Sequence, residues 1–410
     1  MTTATVEGLG GRVRELLSLR TEANAAFFEA NAGELARCCH RMAERFARGG
    51  RLVAIGHSAA ARSDVRHVAV EFVHPVIVGK RALPAIGLAA EGGSLGAQVE
   101  AVVEADDIAI AFGADEPDAA ETIEALAAAR ARGAMTIAFA PAGAEWRFEP
   151  PGEDPFVRQE LIETLYHVLW ELVHVFFDHR GLLAGREARS GHDAGGSSFL
   201  YPFLAESETD LDAVTEDVRS SVLMKSAEIG SLREQTLGEN AERLGAAAIE
   251  LRSLLDSGGR LLACGNGGSA TDAIDLVADL THPVRERWPI RRAIDLTADS
   301  SILTAIANDV GVEEIFQRQV IAYGRQGDAL VVLSTSGNSE NLIFALTEAR
   351  RRGLLTIALV GYDGGRIASE GHADHVIVTR SQNIPRIQEA QASAYHALRE
   401  LIELSGGAGG

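Results

Sequence analysis

The feature that most constrains this chain is that it repeats itself. The segment GGRLVAIGHSAAARSDVRHVAVEFVHPV (49–76) aligns with GGRLLACGNGGSATDAIDLVADLTHPV (258–284). The two share GGRL, a glycine after the apolar run, Asp64 with Asp272, and a closing His-Pro-Val. Two further stretches align in the same order, 104–139 over 325–359 and 157–174 over 385–403. Three ordered matches point to a tandem duplication, so whatever fold one half adopts, the other should adopt too.

Each copy carries short continuous apolar runs: LVAI, IAIAF and TIAF in the first, LLAC, ALVVL and TIALV in the second. Such runs mark parallel strands covered on both faces. The intervening segments at 120–132 and 340–352 have helical composition and stop at Gly133 and Gly353, natural helix C-caps. The expected fold class is α/β, two tandem doubly wound parallel-sheet domains, each preceded by long helices at 5–48 and 207–257. The expected organisation is a first domain at 1–186, a Gly/Ser-containing linker at 187–206, a second domain at 207–404 and a flexible tail at 405–410. Copy one is the shorter. It has no counterpart of 298–316, and 145–155 replaces the segment that holds HADHVIVT in copy two.

Charge narrows the function. With 58 acidic against 38 basic side chains the net charge is −20, which argues against coating nucleic acid or an anionic membrane surface. Lysine occurs only at Lys80 and Lys225, neither in a GxxxxGK[ST] context, so no P-loop is present. Cys38, Cys39 and Cys264 make no disulfide framework and fit a reducing compartment. The start lacks an apolar signal core. The most apolar stretch, 161–177, carries Glu163, His167, Glu171 and His174, and reads as a buried amphipathic helix rather than a membrane span. A cytoplasmic protein is expected.

Two loops of copy two carry anion chemistry. CGNGGSATD (264–272) follows a strand and opens a helix, where glycines let backbone N–H groups approach an anion favoured by the helix dipole. LSTSGNSEN (333–341) places Ser334, Thr335, Ser336 and Ser339 around a second helix start. Hydroxyls and amides without Lys or Arg suit a phosphate monoester better than a nucleotide, and no GxGxxG fingerprint is present. Each loop alone also reads as an ordinary N-cap and tight turn; both in one α/β domain favour a ligand. Copy one shows the opposite set. His67 and Glu71 are spaced i,i+4 on one helix face, and Gln159 and His167 follow later. Singly these read as a solvated pair and a core histidine.

GNGGS-x-x-D, LTAIAND, STSGNS, GYDGG and RIQE resemble the sugar isomerase (SIS) domain family and, within it, the phosphoheptose isomerases. The resemblance covers about 215–404 specifically and about 5–180 more weakly. It implies that Ser269, Ser334, Thr335, Ser336 and Ser339, with Asn266, hold a sugar phosphate. It implies that His67, Glu71, Gln159 and His167 bind a divalent metal, zinc in that family. The copy-two equivalents are Asp275, Asp279, Gln388 and His396, a harder set in which zinc is less expected. Copy one has Ala60 at the first serine and Asp115 and Glu116 in the second loop, where acidic groups repel phosphate. Geometry limits the metal set: residues eight apart on a straight helix lie about 12 Å apart along its axis. Gln159 and His167 can therefore share an ion only if Gln159 lies at or before the helix entry.

The implied reaction is an aldose–ketose isomerisation, sedoheptulose 7-phosphate to a heptose 7-phosphate, through an enediol. It needs a base, an acid and a stabilised oxyanion, with no organic or nucleotide cofactor. Glu71 and His167 are the expected acid/base pair, and copy two the phosphate anchor. Because the family builds its sites from more than one subunit, a homodimer imitating a four-domain tetramer is expected. One rival places an altered site in copy two on Asp279 and His396. Another is a non-catalytic sugar-phosphate-binding regulatory or scaffold protein. The family includes such members, among them one that binds the bacterial replication initiator and resembles copy two in TAIAND and GYDGG.

Overall fold

The computed structural model describes residues 5–76, 80–91, 93–178 and 210–405; the linker expected at 187–206 and nearly all of the tail expected at 405–410 lie outside them. The first half runs α1 (Val6–Ala47), β1 (Leu52–Ile55), α2 (Ala59–Val73), β2 (Ala85–Leu88), α3 (Leu95–Val102), β3 (Ile108–Ala111), α4 (Ala120–Ala131), β4 (Met135–Ala138), β5 (Trp146–Arg147) and α5 (Pro155–Asp178). The second runs α6 (Leu211–Asp256), β6 (Leu261–Gly265), α7 (Gly268–Thr281), β7 (Ala293–Asp295), α8 (Ser300–Asp309), α9 (Ile315–Tyr323), β8 (Ala329–Ser334), α10 (Glu340–Arg351), β9 (Leu355–Val360), α11 (Gly365–Ser369), β10 (His375–Val378) and α12 (Ile384–Leu404).

These elements form two five-stranded parallel sheets, ordered β2-β1-β3-β4-β5 and β7-β6-β8-β9-β10. Taken strand by strand along the chain, the two orders are the same. The central strands are buried along their whole length, as continuous apolar runs between two helical layers require. The short β5 takes the place that β10 has in the second sheet, and α3 alone bridges β2 to β3 where α8 and α9 bridge β7 to β8.

The compact units do not follow chain order. One holds the first sheet and comprises Ala23–Glu153 with Leu161–Ala227. The other holds the second sheet and comprises the chain up to Glu22, Asp154–Glu160 and everything from Glu228. Leu9, Val13 and Leu16 of α1 accordingly pack in one core with Leu237, Leu244 and Leu251 of α6. The first turns of α5 belong to the second unit and the rest of that helix to the first. No helix among the described residues is long and apolar enough to cross a membrane.

Candidate functional site

In an open α/β sheet the ligand crevice lies beyond the carboxyl ends of the strands, where the strand order reverses. In the second unit the chain leaves β6 for β7 on one side and returns to β8 on the other, so the reversal falls between β6 and β8. The loops after these two strands are the two that the sequence singles out. Gly265 ends β6, and a side chain there would meet the Ser269 carbonyl oxygen at 2.2 Å, so the first loop closes only on glycine. Ser269 is buried one residue into α7. Asn266 and Asn341 exchange two amide hydrogen bonds of 3.0 and 2.9 Å, which tie the first loop to the start of α10. Asn341 escaped the sequence reading, and Asn266 acts as a staple between loops.

The second loop is drawn tight in the same way. Gly337 has φ +65°, and a Cβ on it would lie 2.2 Å from the carbonyl oxygen of Gly364. The Ser334 hydroxyl accepts from Gly337 N–H at 3.0 Å, and that of Ser336 from Asn338 N–H at 3.2 Å. A hydroxyl that accepts in this way keeps its own O–H to donate. Ser339 occupies the N-cap of α10 without making a side-chain cap bond, and Thr335 is half-buried between Ser334 and Ser336. A groove of about 550 Å³ borders the crevice, lined among others by Asn266, Ser339, Asn341 and Phe344. Asp299, by contrast, serves as a cap, accepting from Ser301 and Ile302 N–H groups at the start of α8.

The corresponding crevice of the first unit, between β1 and β3, is furnished differently. Ser58 caps α2 and donates to Glu116 Oε1 at 2.8 Å. Burial pushes the Glu116 carboxyl up from its ordinary range. His57 stands 3.2 Å from Thr122 Oγ1 and 3.4 Å from Asp118. A carboxylate already stands where an anion would bind.

The first unit instead gathers imidazoles. His67 on α2 and His167 on α5 are both buried, and their Nε2 atoms lie 3.3 Å apart. Glu71, one turn after His67, brings Oε1 to 3.9 Å from His67 Nε2. Glu163, one turn before His167, completes a group in which donor atoms of His67, Glu163 and His167 lie within 4.8 Å of one another. Tyr166 packs edge-on against both rings, at 5.4 Å from His67 and 5.0 Å from His167. Two facing imidazole nitrogens share one proton, or they share a cation. Their separation equals the edge of a tetrahedron around zinc, about 3.3–3.4 Å for Zn–N bonds of about 2.0–2.1 Å. The donor set thus fits a borderline divalent ion.

Gln159 is not in this set. It lies inside α5, past the helix start at Pro155, so the condition for sharing an ion with His167 is not met. Its amide belongs to the second unit and donates to Asp275 Oδ1 at 2.8 Å. There the expected copy-two set is also rearranged. Asp275, Asp279 and His396 do meet, but His396 Nδ1 faces Glu160 at 2.9 Å and its Nε2 faces Asp275 at 3.2 Å and Asp279 at 3.6 Å. Tyr395 donates its hydroxyl proton to Asp275 at 2.7 Å, and Arg20 pairs with Glu160 at 2.9 Å. Phe156 stacks on the imidazole at 4.5 Å.

This second cluster is a buried network of ion pairs and hydrogen bonds. Burial alone lowers the His396 pKa, but hydrogen bonds to Asp275 and Glu160 outweigh it and push the ring up to about 10. Burial likewise works against ionised Glu160, and Arg20 with His396 overcomes it, holding the carboxyl at about 2. Burial raises Asp279 well above the usual carboxylate range. Of the set expected in copy two, Asp275, Asp279 and His396 are thus brought together, their donor atoms within 4.8 Å of one another. Gln388 is buried in α12 two turns before His396, so the same helix geometry separates it from that ring. Glu160 was overlooked in the sequence, and Glu163 was noted only as a polar residue of the apolar stretch, although its i,i+4 spacing to His167 mirrors that of His67 and Glu71.

The SIS domain family model matches residues 226–361. A phosphoheptose isomerase of Nitratidesulfovibrio vulgaris is 40% identical over 190 residues, 46% of this chain and 90% of that protein. One from Chlorobium phaeobacteroides is 43% identical over 199 residues, 47% of this chain and 84% of its own length. Over the whole chain, the C-terminal domain of glucosamine-fructose-6-phosphate aminotransferase from Francisella tularensis superposes with a TM-score of 0.61 at 10% identity, covering 99% of this chain and 98% of that one; at that identity it speaks for the fold alone. With relatives this similar matched over most of their own length, the chain belongs to the SIS domain family and, within it, to the phosphoheptose isomerase group.

Proposed function

We propose that the protein is an aldose–ketose isomerase of a sugar phosphate, with sedoheptulose 7-phosphate as substrate. The observation that carries this reading is the 3.3 Å approach of His67 and His167 beside buried Glu71 and Glu163, in a chain whose second unit has a hydroxyl-lined crevice. The phosphate is taken by Ser269, Ser334, Thr335, Ser336 and Ser339, each offering an O–H, with backbone N–H groups at the starts of α7 and α10. A divalent ion held by His67 and His167 and a carboxylate would polarise the sugar oxygens and stabilise the enediolate charge. Glu71 carries the proton between the adjacent carbons, and a buried carboxylate beside imidazole is suited to that task. Zinc fits the two-imidazole set. The active assembly in this reading is a homodimer, checked by analytical ultracentrifugation. The common topology of the two sheets supports a duplicated ancestor.

The test is an isomerisation assay with sedoheptulose 7-phosphate. Glu71→Gln is expected to lower kcat by about 10²–10⁴-fold, the usual size of a lost acid–base group. Ser336→Ala is expected to raise KM by roughly ten- to a hundredfold with kcat nearly unchanged, one charge-assisted hydrogen bond being lost. Full activity in Glu71→Gln with a dead Asp279→Asn would transfer the chemistry to the second unit and end this reading.

A further inference from the structure

Two carboxylates flank the paired imidazoles, and the geometry separates their roles. His67 and Glu71 are one turn apart on α2, and Glu163 and His167 one turn apart on α5. Each helix therefore turns one imidazole and one carboxylate toward the same side, about 6 Å apart along its axis. The donor atoms that lie mutually within 4.8 Å come from His67, His167 and Glu163. Glu71 reaches His67, at 3.9 Å, but is not one of that mutually close trio.

We propose that Glu163 is the carboxylate that completes the metal site with His67 and His167, leaving Glu71 outside the coordination shell to carry the proton. The inference rests on the isomerase reading for the role of Glu71, though not for that of Glu163. Three protein ligands and an open position are the ordinary make-up of a catalytic zinc site. From 4.8 Å the carboxylate needs to close by about 1.5 Å at most to reach the tetrahedral spacing set by Zn–N and Zn–O bonds. All three residues are buried. A carboxylate that is both ligand and base would have its basicity drained by the cation, so separating the duties suits the chemistry. Glu163 has no carboxylate counterpart in copy two, where Ala392 stands.

The experiment uses the full-length protein, stripped with chelator and titrated with zinc against a chromophoric competitor. Wild type is expected to bind one zinc. Glu163→Gln and His67→Ala should each weaken it more than a hundredfold, beyond the 10–100-fold usual for a residue merely supporting a ligand. Glu71→Gln should stay within tenfold of wild type. Melting in chelator shows whether Glu163→Gln is folded. If it is not, the cobalt(II)-loaded protein answers instead: its visible bands should shift in Glu163→Asp and stay put in Glu71→Gln. Zinc affinity unchanged in Glu163→Gln, or lost equally in Glu71→Gln, overturns the assignment. So does a wild type that takes up no zinc or cobalt. Zinc binding that depends on Glu163 in a protein without isomerase activity would keep this assignment and dismiss the functional reading.

Discussion

His396 and His167 occupy matching places in the two copies yet face opposite surroundings. Where His167 meets the imidazole of His67, His396 meets Asp275 and Glu160, and a ring between carboxylates holds a proton. The consequence for stability has a definite sign. A histidine raised from an ordinary 6.5 to about 10 stabilises the fold fully below pH about 6.5 and loses that contribution as pH climbs toward 10. Asp279, raised by burial, acts in the same alkaline direction. Glu160, held at about 2 from an ordinary 4.5, contributes above pH 4.5 and loses it as pH falls toward 2. Urea midpoints are therefore expected to fall between pH 6.5 and 10 in wild type, and less steeply in His396→Gln. Glu160→Gln should cost about 3–5 kcal/mol, as removing one partner of a buried ion pair does, read from the same denaturation curves near neutral pH. The histidine equivalence was legible in the repeat; its partner Glu160 was not, being 236 residues away in the chain.

Among the elements, the strands and the loops that follow them were the most legible. Apolar runs covered on both faces leave little freedom of interpretation, and the glycines of the two copy-two loops mark close backbone approach. The departures are where a local pattern is too short or too generic: β5 has two residues, and α3 was not anticipated. Helix α5 shows the deeper limit. Its periodicity correctly gives one buried helix, but the chain passes from one compact unit to the other at Glu160 and Leu161, and this separates Gln159 from His167. The second cradle loop offers a test at this scale. Gly337→Ala forces a side chain into a left-handed position against the Gly364 carbonyl. It should cost about 1–3 kcal/mol, the usual size of such local strain. Inorganic phosphate binding, followed by calorimetry, should weaken at least tenfold while helical circular dichroism stays unchanged.

At the scale of the whole molecule, the −20 charge argues against polyanionic partners. A ligand that binds only the folded chain raises its stability by about 2.7 kcal/mol at a hundred times its Kd. Zinc is therefore expected to raise the melting temperature of wild type and to leave His67→Ala unmoved, in a thermal scan with and without chelator. Length, repeat and apolar pattern by themselves determined two like parallel sheets and the strand ends where ligands gather, because strand burial and glycine turns are written locally. Tertiary structure alone decided which side chains meet. Helical spacing tells which residues share a face but not which neighbour that face will find, and so Gln159 went to Asp275, Glu160 to His396 and Glu163 to the paired imidazoles.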